Sequence, residues 1–397
     1  MGEYDVIVVG AGPGGASAAY FLSRAGKRVL VLEKEILPRY KACGGGISAR
    51  FLRNTFPFSF DGIIQSEVTA MSYDFRGFTI TMPASRGVIG MTMREQLDLH
   101  ILQHARAEVR QGVTVRTLTE ATDRVIVETR GGERFEARYV IGADGANSIV
   151  ARSVGLRRKK HLAAAIEAEV PVSPRILRRF AGRPVFIFGE IRLGYLWIFP
   201  KREHLSVGIA AMKPKRGALQ EKLKKVMARY GISLEKAALH GHPIPLYTRR
   251  EPIATRRTLL VGDAAGLVDP FSGEGIRYAI KSGHLAARAI LSGHPESYPG
   301  LVFREIGINH TLAIFVSLFF YHLQALCLVL GAPNPFTTQA IIHLLSDRLS
   351  TAEVMLYALL TLPVYLATEV IAGIAGVFGG EQRRQHIRKV VYSIEGG

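Results

Sequence analysis

Two glycine-rich segments near the start of the chain carry residue types from which chemistry can be read. The first, "GAGPGG", places Gly10, Gly12 and Gly15 in G-x-G-x-x-G spacing. Between a strand and a helix, Gly10 permits a tight turn, Gly12 lets backbone approach a pyrophosphate, and Gly15 lets helix and strand pack closely. The phosphates would sit on the helix N-terminus, where free N–H groups and the dipole favour negative charge. Glu33, about 20 residues further on, is placed to accept ribose hydroxyls. These residues indicate a dinucleotide and leave open whether it is nicotinamide or flavin. The second segment, "YKACGGGISAR", sets Cys43 directly before Gly44, Gly45 and Gly46. A thiol there is a candidate acid or shaping group of a site, or a buried inert cysteine acting as a small hydrophobe.

These residues need elements to position them. "YDVIVVG" reads as a buried strand, "GASAAYFLSRAG" as a small-residue helix closing at Gly26, and "KRVLVLEK" as a second strand, together one β-α-β unit. "TAMSYDFRGFTITM" alternates apolar and polar residues as an antiparallel sheet with one wet face would, and "MREQLDLHILQHARAEV" reads as a helix. Strands are expected near 113–116 and 123–129, with a hairpin turn at Gly131 and Gly132, and residues 163–211 read as mostly strand. "TLLVGDAAG" is a late buried strand before a helix pattern, "GEGIRYAIKSGHLAARAIL". The nucleotide-binding fold is therefore written in separated pieces around an inserted sheet. Residues 301–377 become strongly apolar and helical, long enough to permit membrane spans, yet His322, Gln324, Pro363 and Glu369 interrupt them. A buried or membrane-surface helical lobe is the expectation.

The chain has 397 residues, 48% hydrophobic and 21% charged, which fits an ordered protein of two or more sub-domains. Its formal charge of +18, partly clustered at 157–160 and 383–389, suits anionic lipid or a phosphorylated ligand. No zinc-finger or RNA-binding spacing accompanies it, so nucleic acid is not the expected partner. No His, Asp or Cys clustering has metal-ligand spacing. Two cysteines make no disulfide framework, and the N-terminus carries no secretory signal, so a cytoplasmic location is expected.

Three ordered segments refine the dinucleotide. "GAGPGG", "VIGADGANSIVAR" with Asp144, Gly145 and Ser148, and "LLVGDAAGLVDPFSGEGIRYAI" with Gly262, Asp263, Ala265 and Gly266 resemble the FAD motifs of the aromatic-hydroxylase-like flavoproteins. "PRYKACGGGIS", "GYLWIFPK" and "DPFSGEGI" narrow the resemblance, over about residues 4–300, to the geranylgeranyl reductase family. It implies an α+β / α/β fold: a discontinuous Rossmann-type FAD-binding domain (1–62, 88–160, 250–295), an inserted antiparallel-sheet substrate domain (63–87, 161–249) and an apolar helical C-terminal lobe (296–397). The residues it implies for FAD are Gly10, Gly12, Pro13, Gly14, Gly15, Glu33, Lys34, Cys43, Gly44, Arg94, Asp144, Gly145, Gly262, Asp263, Ala264, Gly273, Gly275 and Ile276. Asp263 would hold the ribityl chain, and Arg94 in "MREQLD" would approach the cofactor or be an ordinary helix-start arginine.

That family saturates carbon–carbon double bonds of polyprenyl lipids by hydride transfer from reduced FAD. The resemblance implies Cys43, Gly44 and Gly45 as catalytic, and Tyr195, Trp197, Phe199, Pro270 and Gly273 as substrate residues. In "YLWIFP" the alternation puts Tyr195, Trp197 and Phe199 on one strand face, suited to an apolar chain or to a sheet core. Arg39 and Lys41 flank the glycine run and either meet an anionic head group or are solvated. No second G-x-G-x-x-G is present, which leaves NADPH without a dedicated domain, ferredoxin or flavodoxin as electron donor. The expected location is peripheral at the inner membrane face. A flavin monooxygenase or halogenase, and a membrane-associated electron-transfer flavoprotein, are the competing readings.

Overall fold

The computed structural model describes residues 4–84, 87–157, 161–215, 217–331 and 334–392; residues 158–160 of the first basic cluster lie outside them. A seven-stranded sheet forms the nucleotide-binding half. Its order is Glu108–Gln111, Val29–Glu33, Tyr4–Val9, Arg134–Gly142, Val125–Thr129 and Val115–Glu120, with Thr258–Leu260 also pairing Arg134–Gly142. The pairings from Glu108–Gln111 to Arg134–Gly142, and on to Thr258–Leu260, are parallel. The apolar runs "VIVV" and "VLVL" follow from this, since strands covered on both faces need no polar side. The helix Pro13–Arg24 starts with Pro13 in its first turn, where a missing N–H costs nothing. It packs on the helix Ile276–Leu291 so closely that a Cβ on Gly283 would lie 2.2 Å from the Gly14 carbonyl oxygen.

The second sheet, also of seven strands, runs His240–Pro245, Leu162–Pro171, His204–Met212, Gly194–Pro200, Val185–Phe188, Ala70–Phe75 and Phe78–Pro83. One face buries Ala168, Val170, Leu196, Ile198, Val207 and Ile209 against the helix Ala218–Arg229. The other carries Ala165, Tyr195, Trp197, Phe199 and Ala210 and turns toward the glycine run. A three-stranded sheet of Gly46–Ser48, Ile89–Thr92 and Ile64–Glu67 follows the Cys-Gly segment.

Three local expectations change. The helix begun at Arg94 stops at Gln103, and Glu108–Gln111 becomes an edge strand beside Val29–Glu33 instead of its last turn. Residues 163–211 include the helix Pro174–Phe180, whose Ser173 side chain accepts from the Ile176 amide ahead of a first-turn proline. The apolar stretch around residue 320 is not one helix: Leu323 leaves helical geometry between Ile308–His322 and Gln324–Gly331.

The last helical segment, Thr351–Tyr392, reverses at Gly380 (φ 75°). In a straight helix Glu369 and Tyr392 would be about 35 Å apart. Here the Tyr392 hydroxyl donates to Glu369 Oε1 at 2.8 Å, and Arg388 pairs with both Glu369 oxygens. The acid that interrupts the apolar pattern is thus neutralised by the returning arm. Pro295–His322 and Thr351–Ala375 are each long and apolar enough to cross a membrane, with mean hydropathy 1.3 and 1.8. Only 11% of the second stretch is buried against protein, so its apolar surface faces outward.

Candidate functional site

The glycine loop holds the geometry its spacing demands. Gly10 has φ 98°, and a Cβ there would fall 2.5 Å from the Ala143 carbonyl oxygen; one on Gly15 would fall 1.9 Å from the Gly10 carbonyl oxygen. Glu33 is buried at the end of its strand, with Oε2 accepting from the Ala11 amide at 2.7 Å and Oε1 from the Glu35 amide at 3.1 Å. Its carboxylate therefore shapes the loop, with both oxygens accepting backbone amides. Lys34 points away, 68% exposed beside Glu35.

Cations crowd the open side of Gly12. A Cβ on Gly12 would sit 3.7 Å from Arg94 Nη2 and 3.8 Å from Arg39 Nη2. Arg94, at the start of its helix, is held by Asp98 through Nε at 2.9 Å and Nη2 at 2.8 Å, and Arg39 Nη2 shares the same carboxylate at 3.2 Å. Arg39 Nη1 is buried with no partner among the described residues. Burial among these cations pushes the Lys41 ammonium below its ordinary range, against the pull of Asp263. Burial raises the Asp263 carboxyl, yet His242, Lys41 and Arg94 outweigh it and hold the group below the usual carboxylate range. A Cβ on Gly145 would be 4.0 Å from Lys41 Nζ, and one on Gly275 would be 3.7 Å from Asp263 Oδ1. An orphaned guanidinium nitrogen, three cations and side-chain-free glycines fit a dinucleotide diphosphate. Asp144 is occupied by the backbone instead, accepting from Ser148 Oγ at 2.6 Å and from the Ile149 and Val150 amides at 2.6 and 3.1 Å to start the next short helix.

The second half of the site joins the glycine run to the sheet. Half-buried Cys43 packs on the nucleotide-binding core and lies within electrostatic reach of Tyr40, Arg94, Tyr195 and Lys201. A Cβ on Gly44 would meet the Phe199 ring at 2.8 Å and Trp197 Nε1 at 3.3 Å, so the Trp197–Phe199 wall closes directly on the glycine run. Gly45 (φ 73°) approaches the Thr92 carbonyl oxygen, 2.0 Å from its would-be Cβ. Tyr195 is a clamp: its hydroxyl donates to the Ser272 carbonyl at 2.7 Å. From the other side Ser317 and Tyr321 donate to the Pro270 and Phe271 carbonyls at 3.0 and 3.2 Å. Asp269 Oδ1 accepts the Phe271 and Ser272 amides at 3.0 and 2.7 Å, leaving Gly273 at φ 74° beneath Tyr195. Gly262, at φ 53°, ties its amide to Ser282 Oγ at 2.9 Å, and Ala264 and Ile276 are buried behind it.

Sequence reasoning missed Lys201 and Glu167. Lys201, 3% exposed, donates to the Gly44 carbonyl at 2.6 Å and the Thr92 carbonyl at 2.9 Å. Burial lowers its ammonium below its ordinary range, while Glu169 opposes the shift. A lysine closing the apolar strand "YLWIFPK" was the available signal. Glu167 lies on the aromatic face of its strand, and burial together with Glu169 pushes its carboxyl up to about 8. Its signal was "IEAEV", two acids in register on one face of a buried strand.

A family model described as an FAD binding domain matches residues 3–55 and 67–192. The chain is 34% identical over 331 residues to an uncharacterized protein of Methanosarcina barkeri, covering 81% of this chain and 84% of that one. It is 32% identical over 301 residues to a geranylgeranyl diphosphate reductase of Rhodobacter capsulatus, covering 73% and 75%. Its fold matches a solved geranylgeranyl bacteriochlorophyll reductase-like protein of Thermoplasma acidophilum with TM-score 0.73 at 24% identity, covering 89% of this chain and 95% of that one.

Proposed function

Because this chain belongs to the geranylgeranyl reductase family, and is an FAD-dependent oxidoreductase acting on carbon–carbon double bonds of prenyl groups, we propose that its substrate is a geranylgeranyl lipid with an anionic head, taken from a membrane surface. The observation that carries this reading is the Trp197–Phe199 wall closing on Gly44 beside Cys43. It offers an apolar chain an aromatic face next to a thiol, and apolar ligands are held by such surfaces. Bound FAD supplies hydride once it is reduced. Gly10, Gly12, Arg39, Arg94, Lys41 and Asp263 are the residues proposed to hold it, the cations on the diphosphate and Asp263 on the ribityl side. An isolated alkene is a poor hydride acceptor, so positioning and water exclusion carry much of the rate. Lys201 fixes the Gly44 carbonyl, Tyr195 fixes the 270–273 loop, and Cys43, within electrostatic reach of both, is the proposed proton donor.

The outward apolar helices and the basic segment 383–389 support a membrane surface as the place where substrate is collected, since apolar insertion and attraction to anionic lipid reinforce each other. NADPH, ferredoxin and flavodoxin are the proposed electron donors, separable by which of them bleaches the flavin. The substrate reading is tested by photoreducing the holoenzyme without oxygen and mixing it with geranylgeranyl diphosphate or its fully saturated analogue. Reoxidation by the first alone supports it. Reoxidation only by oxygen, halide plus oxygen, or a quinone assigns the chain to oxygenation, halogenation or electron transfer instead.

A further inference from the structure

Glu167 is 2% exposed and joined to the site on two sides. Its Oε2 accepts from the Tyr40 hydroxyl, and its Oε1 accepts from Ser206 Oγ at 3.1 Å. Tyr40 is 38% exposed, stands three residues before Cys43, and rests its ring on His240 at 4.5 Å between centroids. Ser206 Oγ accepts from Trp197 Nε1 at 3.5 Å, and that indole nitrogen faces Gly44. A hydroxyl, a carboxyl and a second hydroxyl thus run from solvent to the aromatic wall. Each can both receive and give a proton.

We propose that Tyr40, Glu167 and Ser206 form the route by which solvent protons reach the aromatic wall beside the glycine run, with Glu167 as the store. The proposal rests on the prenyl reductase reading, because every double bond saturated consumes one proton along with one hydride. In one passage Cys43 gives its proton to the alkene, Glu167, as the carboxylic acid, gives its proton to Ser206 Oγ, and the proton Ser206 releases refills the Cys43 thiolate. The Glu167 carboxylate takes the Tyr40 proton, and Tyr40 takes one from water. One proton enters, one is delivered, and no electron moves. The titratable groups facing Glu167 are Glu169 on its own strand, His204 on the adjacent strand with Nε2 2.9 Å from Glu169 Oε2, and Lys201. His240 on the other flanking strand and Tyr40 from the loop are the others among the described residues. Burial and the Glu169 charge keep the Glu167 proton on at neutral pH, as a store requires. All three are assigned to proton supply and not to contact with substrate, so they act through Cys43.

Infrared difference spectroscopy of the holoenzyme, wild type against Glu167→Gln, tests the store without any substrate. The carbonyl stretch of a protonated carboxylic acid should be present at pH 7, titrate away near pH 8 and vanish in Glu167→Gln. On transfer to D2O its isotope shift should complete rapidly in wild type and slow markedly in Tyr40→Phe. In single-turnover reoxidation by geranylgeranyl diphosphate, Glu167→Gln should be slower by about tenfold or more and lose the limb near pH 8, with Glu167→Asp partly restoring both. A missing carboxylic acid band, equal exchange in Tyr40→Phe, or wild-type reoxidation with an unchanged pH profile in Glu167→Gln overturns the proposal. If the lipid fails to reoxidise even the wild-type flavin, the substrate reading falls, and the band and its exchange still decide whether Glu167 is a store fed through Tyr40.

Discussion

The three glycines after Cys43 are chemically identical and are expected to differ widely when each becomes alanine. A Cβ on Gly46 would meet only the Met91 Sδ and Cε atoms, at 3.7 and 3.8 Å, which is ordinary contact with a flexible side chain. Gly46→Ala should therefore change stability by no more than about 0.5 kcal/mol. A Cβ on Gly44 would lie 2.8–2.9 Å from the Phe199 ring, which must retreat by several tenths of an ångström. That overpacking costs about 1–3 kcal/mol and falls on the wall proposed for substrate. Gly45 adds a left-handed backbone, φ 73°, worth about 1–2 kcal/mol for a side chain. Its Cβ would also stand 2.0 Å from the Thr92 carbonyl oxygen and 2.5 Å from Lys201 Nζ, so the backbone itself must move. A total of about 3–5 kcal/mol follows. Thermal melts with FAD release as a second probe should rank the midpoints Gly46→Ala near wild type, Gly44→Ala a few degrees lower, and Gly45→Ala lowest. Gly44→Ala should keep its flavin and lose lipid-driven reoxidation. Equal loss in Gly46→Ala and Gly45→Ala, or a neutral Gly45→Ala, would refute the reasoning.

Other consequences can be measured on the same preparations. Cys43→Ser and Cys43→Ala should retain FAD by absorbance and lose most alkene reduction; full activity in both returns the thiol to packing alone. Asp263→Asn removes the carboxylate charge that Lys41 and Arg94 stabilise, and should weaken FAD about 10- to 100-fold by fluorescence titration, the loss of a charged hydrogen bond. Glu167 binds its proton more tightly when folded than its ordinary carboxyl does unfolded. Its contribution to stability is therefore complete below the ordinary value and fades as pH rises toward about 8. Urea midpoints of wild type should thus fall relative to Glu167→Gln between pH 5 and 8, and parallel curves would contradict this. Asp substitutions at Leu359 and Leu360, 69% and 64% exposed, should reduce flotation with anionic vesicles and leave activity on detergent-dispersed substrate.

What the sequence made legible was local. "GAGPGG" reads as a turn between a buried strand and a helix because the turn, the helix start and the strand end are all encoded within about 25 residues. "YLWIFP" reads as one aromatic face because strand alternation is a backbone property. Lys201 and Glu167 were not legible, since their meaning lies in partners from distant segments: the Gly44 and Thr92 carbonyls for one, Tyr40 and Ser206 for the other. Periodicity ranks a buried acid or lysine as a pattern error, and only the assembled sheet shows what satisfies it. The Tyr195 hydroxyl is similar, for the strand pattern gives its face while the Ser272 carbonyl that occupies it comes from a loop 77 residues away. The reversal at Gly380 was hidden because Glu369 looks like a break in an apolar helix until Arg388 and Tyr392 return to it.

Hydride and proton should both end on the carbons of a prenyl chain. Reduced holoenzyme should therefore be incubated without oxygen with limiting geranylgeranyl diphosphate, and the extracted lipid weighed by mass spectrometry. A gain of two hydrogens for each double bond reduced, matched by one reduced flavin consumed, is expected, with little gain from Cys43→Ala. Unchanged lipid mass beside reoxidised flavin, or a gain of oxygen instead of hydrogen, would contradict it.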